Sequence, residues 1–272
     1  MKLIFNMARK GLVEKINEAI YAFWKTVLTL VWKGLLFLGK SIIRLFSSVA
    51  RKAKQPSTKA VFSSLIELKH LEGDLRDFEK QLLESKSLIG IIIGARGSGK
   101  SGLGMRLLEN AHSKGKKVAA MGFSQESVPS WVKIVSDLKQ VNNGSFLLVD
   151  EGGILFSSRS SFSDANKLLS ELLFIARHKD LSVVFISQNS SNLEINTLRQ
   201  ADYLLLRKPS LLQKDFERKI IQKIYSLHEK EFKELGKYAT LVYSDWYKGF
   251  VENELPSFWS EKASKSFKDF NR

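Results

Sequence analysis

The chain has 272 residues, with 43 Lys and Arg against 28 Asp and Glu and a formal net charge of +15. One α/β domain uses about 150–200 residues, so roughly 80–100 are left for a second module. A hydrophobic content of 44% excludes wholesale disorder. The absence of cysteine excludes disulfides, thiolate nucleophiles, Cys zinc sites and iron–sulfur clusters. The charge is uneven. Residues 1–60 hold 12 Lys and Arg and two acids, Glu14 and Glu18, a net +10, and the other 212 residues supply +5. A uniformly basic nucleic-acid coat is thereby excluded. The scattered histidines His70, His112, His178 and His228 lack metal-ligand spacing and read as structural or exposed.

Residues 1–50 read as a basic amphipathic helix. From Ile16 to Ala50 the sequence is mostly apolar, but its longest uncharged run, Thr26–Trp32, is far shorter than a clean spanning helix. On a helical wheel Lys15, Glu18, Lys25, Lys33, Lys40, Arg44 and Arg51 fall within an arc of about 100°. The rest of the wheel is apolar and carries Trp24 and Trp32. A wide apolar face with a thin basic stripe suits a helix lying in a membrane interface against anionic headgroups, through residues 16–51. Two alternatives stand beside it: a helix packed between subunits with its lysines snorkelling, and a spanning helix whose lysines face a bundle. A secretory signal does not fit, because basic residues recur along the whole segment and no clean apolar core ends in a small-residue cleavage site.

Residues 51–60, RKAKQPSTKA, read as a linker. Residues 61–86 read as an amphipathic helix, because Leu68, Leu71, Leu75, Phe78 and Leu82 follow a 3-4-3-4 spacing. It would pack on the following domain or form a subunit contact.

Residues 87–252 read as the catalytic core, with residues 253–272 as a tail. Leu88–Ile93 is a continuous apolar run of the kind found in buried parallel strands. Directly after it comes Gly94-Ala95-Arg96-Gly97-Ser98-Gly99-Lys100-Ser101, matching G-x-x-x-x-G-K-[ST], and Gly102–His112 reads as helix. The glycines let backbone N–H groups curl around a β-phosphate, and the helix N-terminus adds its dipole. Lys100 would neutralise β/γ-phosphate charge, and the Ser101 hydroxyl would ligate Mg²⁺. A second strand, Ser145–Val149, runs into Asp150-Glu151-Gly152-Gly153, which places two carboxylates at a strand's C-terminal end. Asp150 would hold Mg²⁺ and Glu151 would orient or deprotonate the attacking water. A third strand, Leu181–Ile186, ends in Ser187-Gln188, where a polar residue could sense the γ-phosphate. Tyr203–Leu206 reads as the next strand and Leu211–Leu227 as a helix. Ala239–Tyr243 and Tyr247–Val251 read as a hairpin at the sheet edge.

Over about residues 87–210 this order resembles the FtsK–HerA superfamily of RecA-like motor ATPases. The helix ending Ala176-Arg177-His178, the strand closing in Ser187-Gln188-Asn189-Ser190 and the stretch Leu198-Arg199-Gln200-Ala201-Asp202 carry that resemblance. It is similar, too, to zona-occludens-toxin/filamentous-phage assembly ATPases and to genome-packaging ATPases of membrane-containing viruses. The resemblance implies an α/β fold: a RecA-like P-loop NTPase core with a mostly parallel sheet, here preceded by the amphipathic helical segment. It implies ATP and Mg²⁺ as ligands, Glu151 in the hydrolytic role, Gln188 as sensor, and Arg177 as the γ-phosphate-facing arginine, with Arg199 and Arg207 as rivals. It also implies a ring of identical subunits, a hexamer, moving DNA for packaging, transfer or segregation. Combined with the leading helix, that places the protein at the cytoplasmic face of a membrane or in a virion. The alternatives are a membrane-associated ATPase that drives coat or filament export without gripping DNA, and a regulatory NTPase.

Overall fold

The computed structural model describes residues 58–151, 162–193 and 195–259, together with Lys25, Thr29, Trp32 and Lys33. The chain divides into two units, Met1–Lys54 and Gln55–Arg272. In the first, the four described residues are helical and exposed, and Thr29 Oγ1 donates to the Lys25 carbonyl at 2.7 Å. The rest of the expected basic stripe and apolar face lies outside the described residues, as does the tail from residue 260. No helix among the described residues is long and apolar enough to cross a membrane.

The second unit is built on a sheet of nine described strands. They are β1 (Ile66–Gly73), β2 (Ile89–Ile93), β3 (Val118–Met121), β4 (Lys133–Ile134), β5 (Phe146–Asp150), β6 (Ser182–Ser187), β7 (Tyr203–Arg207), β8 (Thr240–Ser244) and β9 (Tyr247–Glu252). Their order is β1-β9-β8-β7-β2-β6-β5-β3-β4. The six strands from β7 to β4 run parallel, and β8, β9 and β1 continue antiparallel.

The apolar runs become parallel strands because both of their faces are covered. On one face Ile92, Leu148, Val184 and Leu205 pack with Leu103 and Leu107 of α2 (Lys100–Ser113) and with Phe78 and Leu82 of α1 (Leu75–Glu84). On the other, Ile91, Ile93, Val149, Phe185 and Leu206 pack with Leu172 and Ala176 of α3 (Phe162–His178) and with Ile221 and Ile224 of α6 (Lys219–Leu227). Between them lie α4 (Ile195–Arg199) and α5 (Leu211–Phe216), and α7 (Glu229–Glu234) precedes β8.

Five expectations need correction. Residues 61–86 are not one helix, since Ile66–Gly73 is a strand paired antiparallel with β9. Gly73 has φ +82°, and a Cβ there would stand 2.1 Å from the Trp246 carbonyl oxygen, so the chain turns sharply at that point. The Asp74 carboxylate then accepts from Arg76 N at 2.7 Å and starts α1. Only the Phe78–Leu82 half of the expected seam is helical and buried. As a result the β8–β9 hairpin is not the sheet edge, because β1 covers it. The core therefore begins well before residue 87.

It also runs past residue 252. Arg106 and Glu109 of α2 form a buried ion pair at 3.0 Å. Arg106 also donates to the carbonyls of Val61, Glu254 and Leu255, while Glu109 accepts from Val61 N and Ser257 N. The segments on either side of the expected core are thus both tied to α2. Finally, Leu211–Leu227 is two helices broken at Glu217 and Arg218.

Candidate functional site

Strand β2 delivers the chain into the loop Gly94–Gly99, and α2 starts at Lys100. Gly97 and Gly99 have φ of +74° and +88°, values that L side chains rarely adopt, which is what lets the loop close on itself. Ser98 N donates to the Ala95 carbonyl at 3.1 Å, and Ala95 N donates to the Lys208 carbonyl at 3.3 Å, fastening the loop to the end of β7. Arg96 and Gly97 are exposed, whereas Ser98 is buried and its Oγ has no hydrogen-bond partner among the described residues. Such a hydroxyl, held inside the loop, fits a site built for phosphate oxygens.

Lys100 is buried and folds back, its Nζ donating to the carbonyls of Gly94 at 2.8 Å and Ala95 at 2.9 Å. Burial pushes its ammonium down to about 8, against the favourable charges of Asp150 and Glu217 and with a further push from Arg207. Phosphate oxygens would restore a counter-charge that the burial denies it.

β6 lies between β2 and β5, so the ends of the loop strand and the acid strand flank one gap. Across it Ser101 Oγ donates to Asp150 Oδ2 at 3.2 Å. A hydroxyl and a carboxylate side by side form a hard-oxygen pair of the kind Mg²⁺ accepts alongside phosphate and water. The next residue, Glu151, is buried, and burial raises its carboxyl above the usual range. The Ser187 hydroxyl opposes that rise, donating to Glu151 Oε2 at 2.5 Å.

The expected sensor, Gln188, is exposed, and its carbonyl accepts from Gln213 Nε2 at 2.5 Å. Its neighbour Ser187, the last position of β6, reaches Glu151, as does the Asn192 side chain. Glu217 was not anticipated. It is buried, accepts from Ser190 N at 2.6 Å and from Gln213 Nε2 at 2.7 Å, and contributes to the field at Lys100. The helix breaks there because the backbone at Glu217 is extended, carrying the carboxylate to Ser190 and Arg218 N to Ser190 Oγ at 2.8 Å. A glutamate inside a helical run gives no local hint of that.

The three arginines separate clearly. Arg177 closes α3, is exposed, and lies close enough to lower the Asp202 carboxyl against the upward push of burial. Asp202 accepts from Ile89 N at 2.7 Å, at the opposite end of β2 from the loop. Across five residues of strand that is about 13 Å away. Within its own chain Arg177 therefore does not face the γ-phosphate. Arg199 ends α4 just before β7 and lies at the same far edge. Arg207, at the C-terminal end of β7, is the one beside the loop, where a Cβ on Gly94 would stand 2.5 Å from the Arg207 Cβ. It is buried, with its basicity pushed down by burial to about 10. Its guanidinium donates to the Tyr238 carbonyl and to Asn253 Oδ1. An arginine pinned in this way is not free to reach a neighbouring site.

No protein-family model and no curated protein sequence matches the chain. Among solved structures it is similar to the genome packaging NTPase B204 of Sulfolobus turreted icosahedral virus 2 in complex with ATP-gammaS. That likeness has 16% identity, covers 62% of this chain and 98% of that one, and has a TM-score of 0.44. It is similar to the pCW3 conjugation coupling protein TcpA in a form with ATPgS, at 11% identity, 79% and 72% coverage and a TM-score of 0.45. It is also similar to ATPases 2 and 3 of EssC from Geobacillus thermodenitrificans, at 11% identity, 79% and 50% coverage and a TM-score of 0.42. The strand, glycine loop and helix, followed by an acid-bearing strand one position removed in the sheet, are those of a P-loop NTPase fold.

Proposed function

We propose that the chain is a Mg²⁺-dependent ATPase of the FtsK–HerA kind, working as a ring of identical subunits that moves DNA. The observation that carries the enzymatic part is the cluster at the C-terminal ends of β2, β5 and β6: Lys100 in the loop, Ser101 on Asp150, and Glu151 with raised basicity on Ser187. In this reading the loop N–H groups and Lys100 hold the β- and γ-phosphates, and Ser101 and Asp150 hold Mg²⁺. The ion would neutralise charge on the transferring phosphoryl group. Glu151 orients a water in line with the γ-phosphorus and takes its proton, and the Ser187 hydroxyl fixes the carboxylate for that task.

The ring reading is supported by an apolar surface beside the site. Leu211, Leu212 and Phe216 are 90%, 74% and 70% exposed on α5, the helix whose Gln213 holds the Gln188 carbonyl. Such a patch suits coverage by a neighbouring copy. An arginine acting on the γ-phosphate would then come from that copy, with Arg177 as the candidate. DNA as the transported substrate rests on the sequence resemblance, and membrane association rests on the basic-apolar pattern of residues 16–51.

The test is the ATP hydrolysis rate with and without double-stranded DNA, across a salt series and with anionic liposomes. Stimulation by DNA that collapses with salt supports the motor. Hydrolysis indifferent to DNA but dependent on lipid or coat protein supports an assembly ATPase instead. Flotation of the full chain on anionic liposomes, compared with a chain lacking residues 1–54, tests the membrane role.

A further inference from the structure

The acid strand fixes the direction of a bound triphosphate. Ser101, Asp150 and Glu151 place the γ end toward β6 and β5, so the nucleoside has to leave the loop on its other flank, toward the ends of β7, β8 and β9. On that flank three side chains converge on the start of α2. A Cβ on Gly99 would stand 3.3 Å from Tyr238 Cδ1. A Cβ on Gly102 would stand 3.1 Å from Leu255 Cδ2 and 3.8 Å from Trp259 Cζ2. Glycine at these two positions lets the three side chains pack directly on the backbone at the start of α2. Tyr238 and Leu255 are also 53% and 58% exposed, which is unusual for large side chains held at fixed positions beside a glycine loop.

They are held by two buried arginines. Arg207 reaches from β7 to the Tyr238 carbonyl and to Asn253, joining the segment before β8 to the segment after β9. Arg106 reaches from α2 to the carbonyls of Glu254 and Leu255. Both donate to backbone or amide oxygens of the pieces that carry the exposed side chains, Arg106 while also paired with Glu109. The consequence is a wall fixed in place with its apolar surface left open. Beside it, Ser98 Oγ is buried inside the loop without a partner among the described residues.

We propose that Tyr238, Leu255 and Trp259 form the nucleobase wall of the site, taking the purine ring of a nucleoside triphosphate by stacking and apolar contact. The proposal rests on the nucleotide-binding reading above and adds the subsite that reading lacks. An aromatic face accepts a base through its π-surface, so the wall contributes affinity for the nucleoside and none for the phosphates.

The experiment measures equilibrium binding of ATP and of inorganic tripolyphosphate, both with Mg²⁺, to the full chain and to Y238A, Y238F, L255A and K100A. Expected are an ATP affinity about tenfold weaker in Y238A, a smaller loss in L255A, and near-native binding in Y238F. Tripolyphosphate should bind all three as it binds the unaltered chain, and K100A should weaken both ligands. Equal loss of both ligands in Y238A would mean that the residue shapes the loop, and the wall assignment would be overturned. Unchanged ATP affinity in Y238A, or Y238F as weak as Y238A, would overturn it as well. If the unaltered chain binds neither ligand, the nucleotide reading falls first and the wall falls with it.

Discussion

The two flanks of the P-loop strand are built in different ways. On one side β6 and β5 end in Ser187 and Asp150, with Glu151 directly after, side chains that reach the site from the strand ends. On the other, β7 ends in a buried arginine, and the groups near the loop come from two distant connections, one before β8 and one after β9. The first flank has carboxylates and a hydroxyl under burial strain, as reactive chemistry requires. The second has buried arginines engaged by carbonyl and amide oxygens, one of them also paired with Glu109, and apolar surface left open, as binding requires. Hydrolytic chemistry is therefore assigned to one side of the strand and affinity for the nucleoside to the other.

The sharpest way to break that division is Glu151→Gln. Removing the base should cut turnover by about 10²- to 10⁴-fold while ATP affinity stays within a few-fold, measured as single-turnover rate against equilibrium binding. An equal loss in both would mean that the acid flank also holds the nucleotide.

This flank was legible in the sequence because each of its parts is local. A strand run followed by G-x-x-x-x-G-K-S, and another followed by Asp-Glu, fix side chains to strand ends without reference to anything distant. The contact to Glu151 comes from Ser187 and not from Gln188: β6 runs one position further than its apolar pattern, and Ser187 is paired in register with Ile93. The other flank was not legible. Its first strand, β1, is exposed along its length and shares leucine spacing with the helix after it, so the period suggested helix throughout. Only Gly73-Asp74 marks the boundary, through a positive φ and an N-cap. On the acid side as well, β3 and β4 beyond β5 are four and two residues long, too short for periodicity to show. Arg207 and Glu217 act through partners about thirty residues away, which no local pattern records.

The binding flank is tested through the pair that ties it to α2. Glu109→Leu leaves Arg106 as an unpaired buried cation and frees Val61 N and Ser257 N. Breaking such a pair costs about 3–5 kcal/mol, read from urea unfolding. Because the Leu255 segment is loosened, KM for ATP should rise more than kcat falls. A variant with kcat reduced and KM unchanged would break the division from the other side.

Ser187→Ala acts within the acid flank on a smaller scale. The serine stabilises the Glu151 carboxylate against burial, so its loss should raise the Glu151 pKa further. A base works when ionised, so activity climbs as pH rises through that pKa. The acid limb of kcat/KM should therefore move to higher pH, with kcat at neutral pH lower by about tenfold for one lost charge-assisted hydrogen bond. An unmoved limb would remove Ser187 from the mechanism.

Lys100 stands between the flanks, and its proton reports on both. Burial holds it down at about 8, Asp150 and Glu217 pull it up, and Arg207 pushes it down. At pH 8.5 the free site is mostly neutral at this position, while the phosphates of ATP are fully ionised, since their last pKa lies near 6. Binding that returns the ammonium to its charged form must then take up a proton. Calorimetry in buffers of different ionisation enthalpy should show a fraction of one proton taken up at pH 8.5, and affinity that declines as pH rises past 8. The two flanks enter with opposite sign. Asp150→Asn removes a favourable charge, lowers the lysine pKa and moves the onset of uptake to lower pH. Arg207→Gln removes an opposing charge and moves it to higher pH. An onset unmoved in both variants would mean that Lys100 feels burial alone and that the loop is electrostatically isolated from the strands on either side of it.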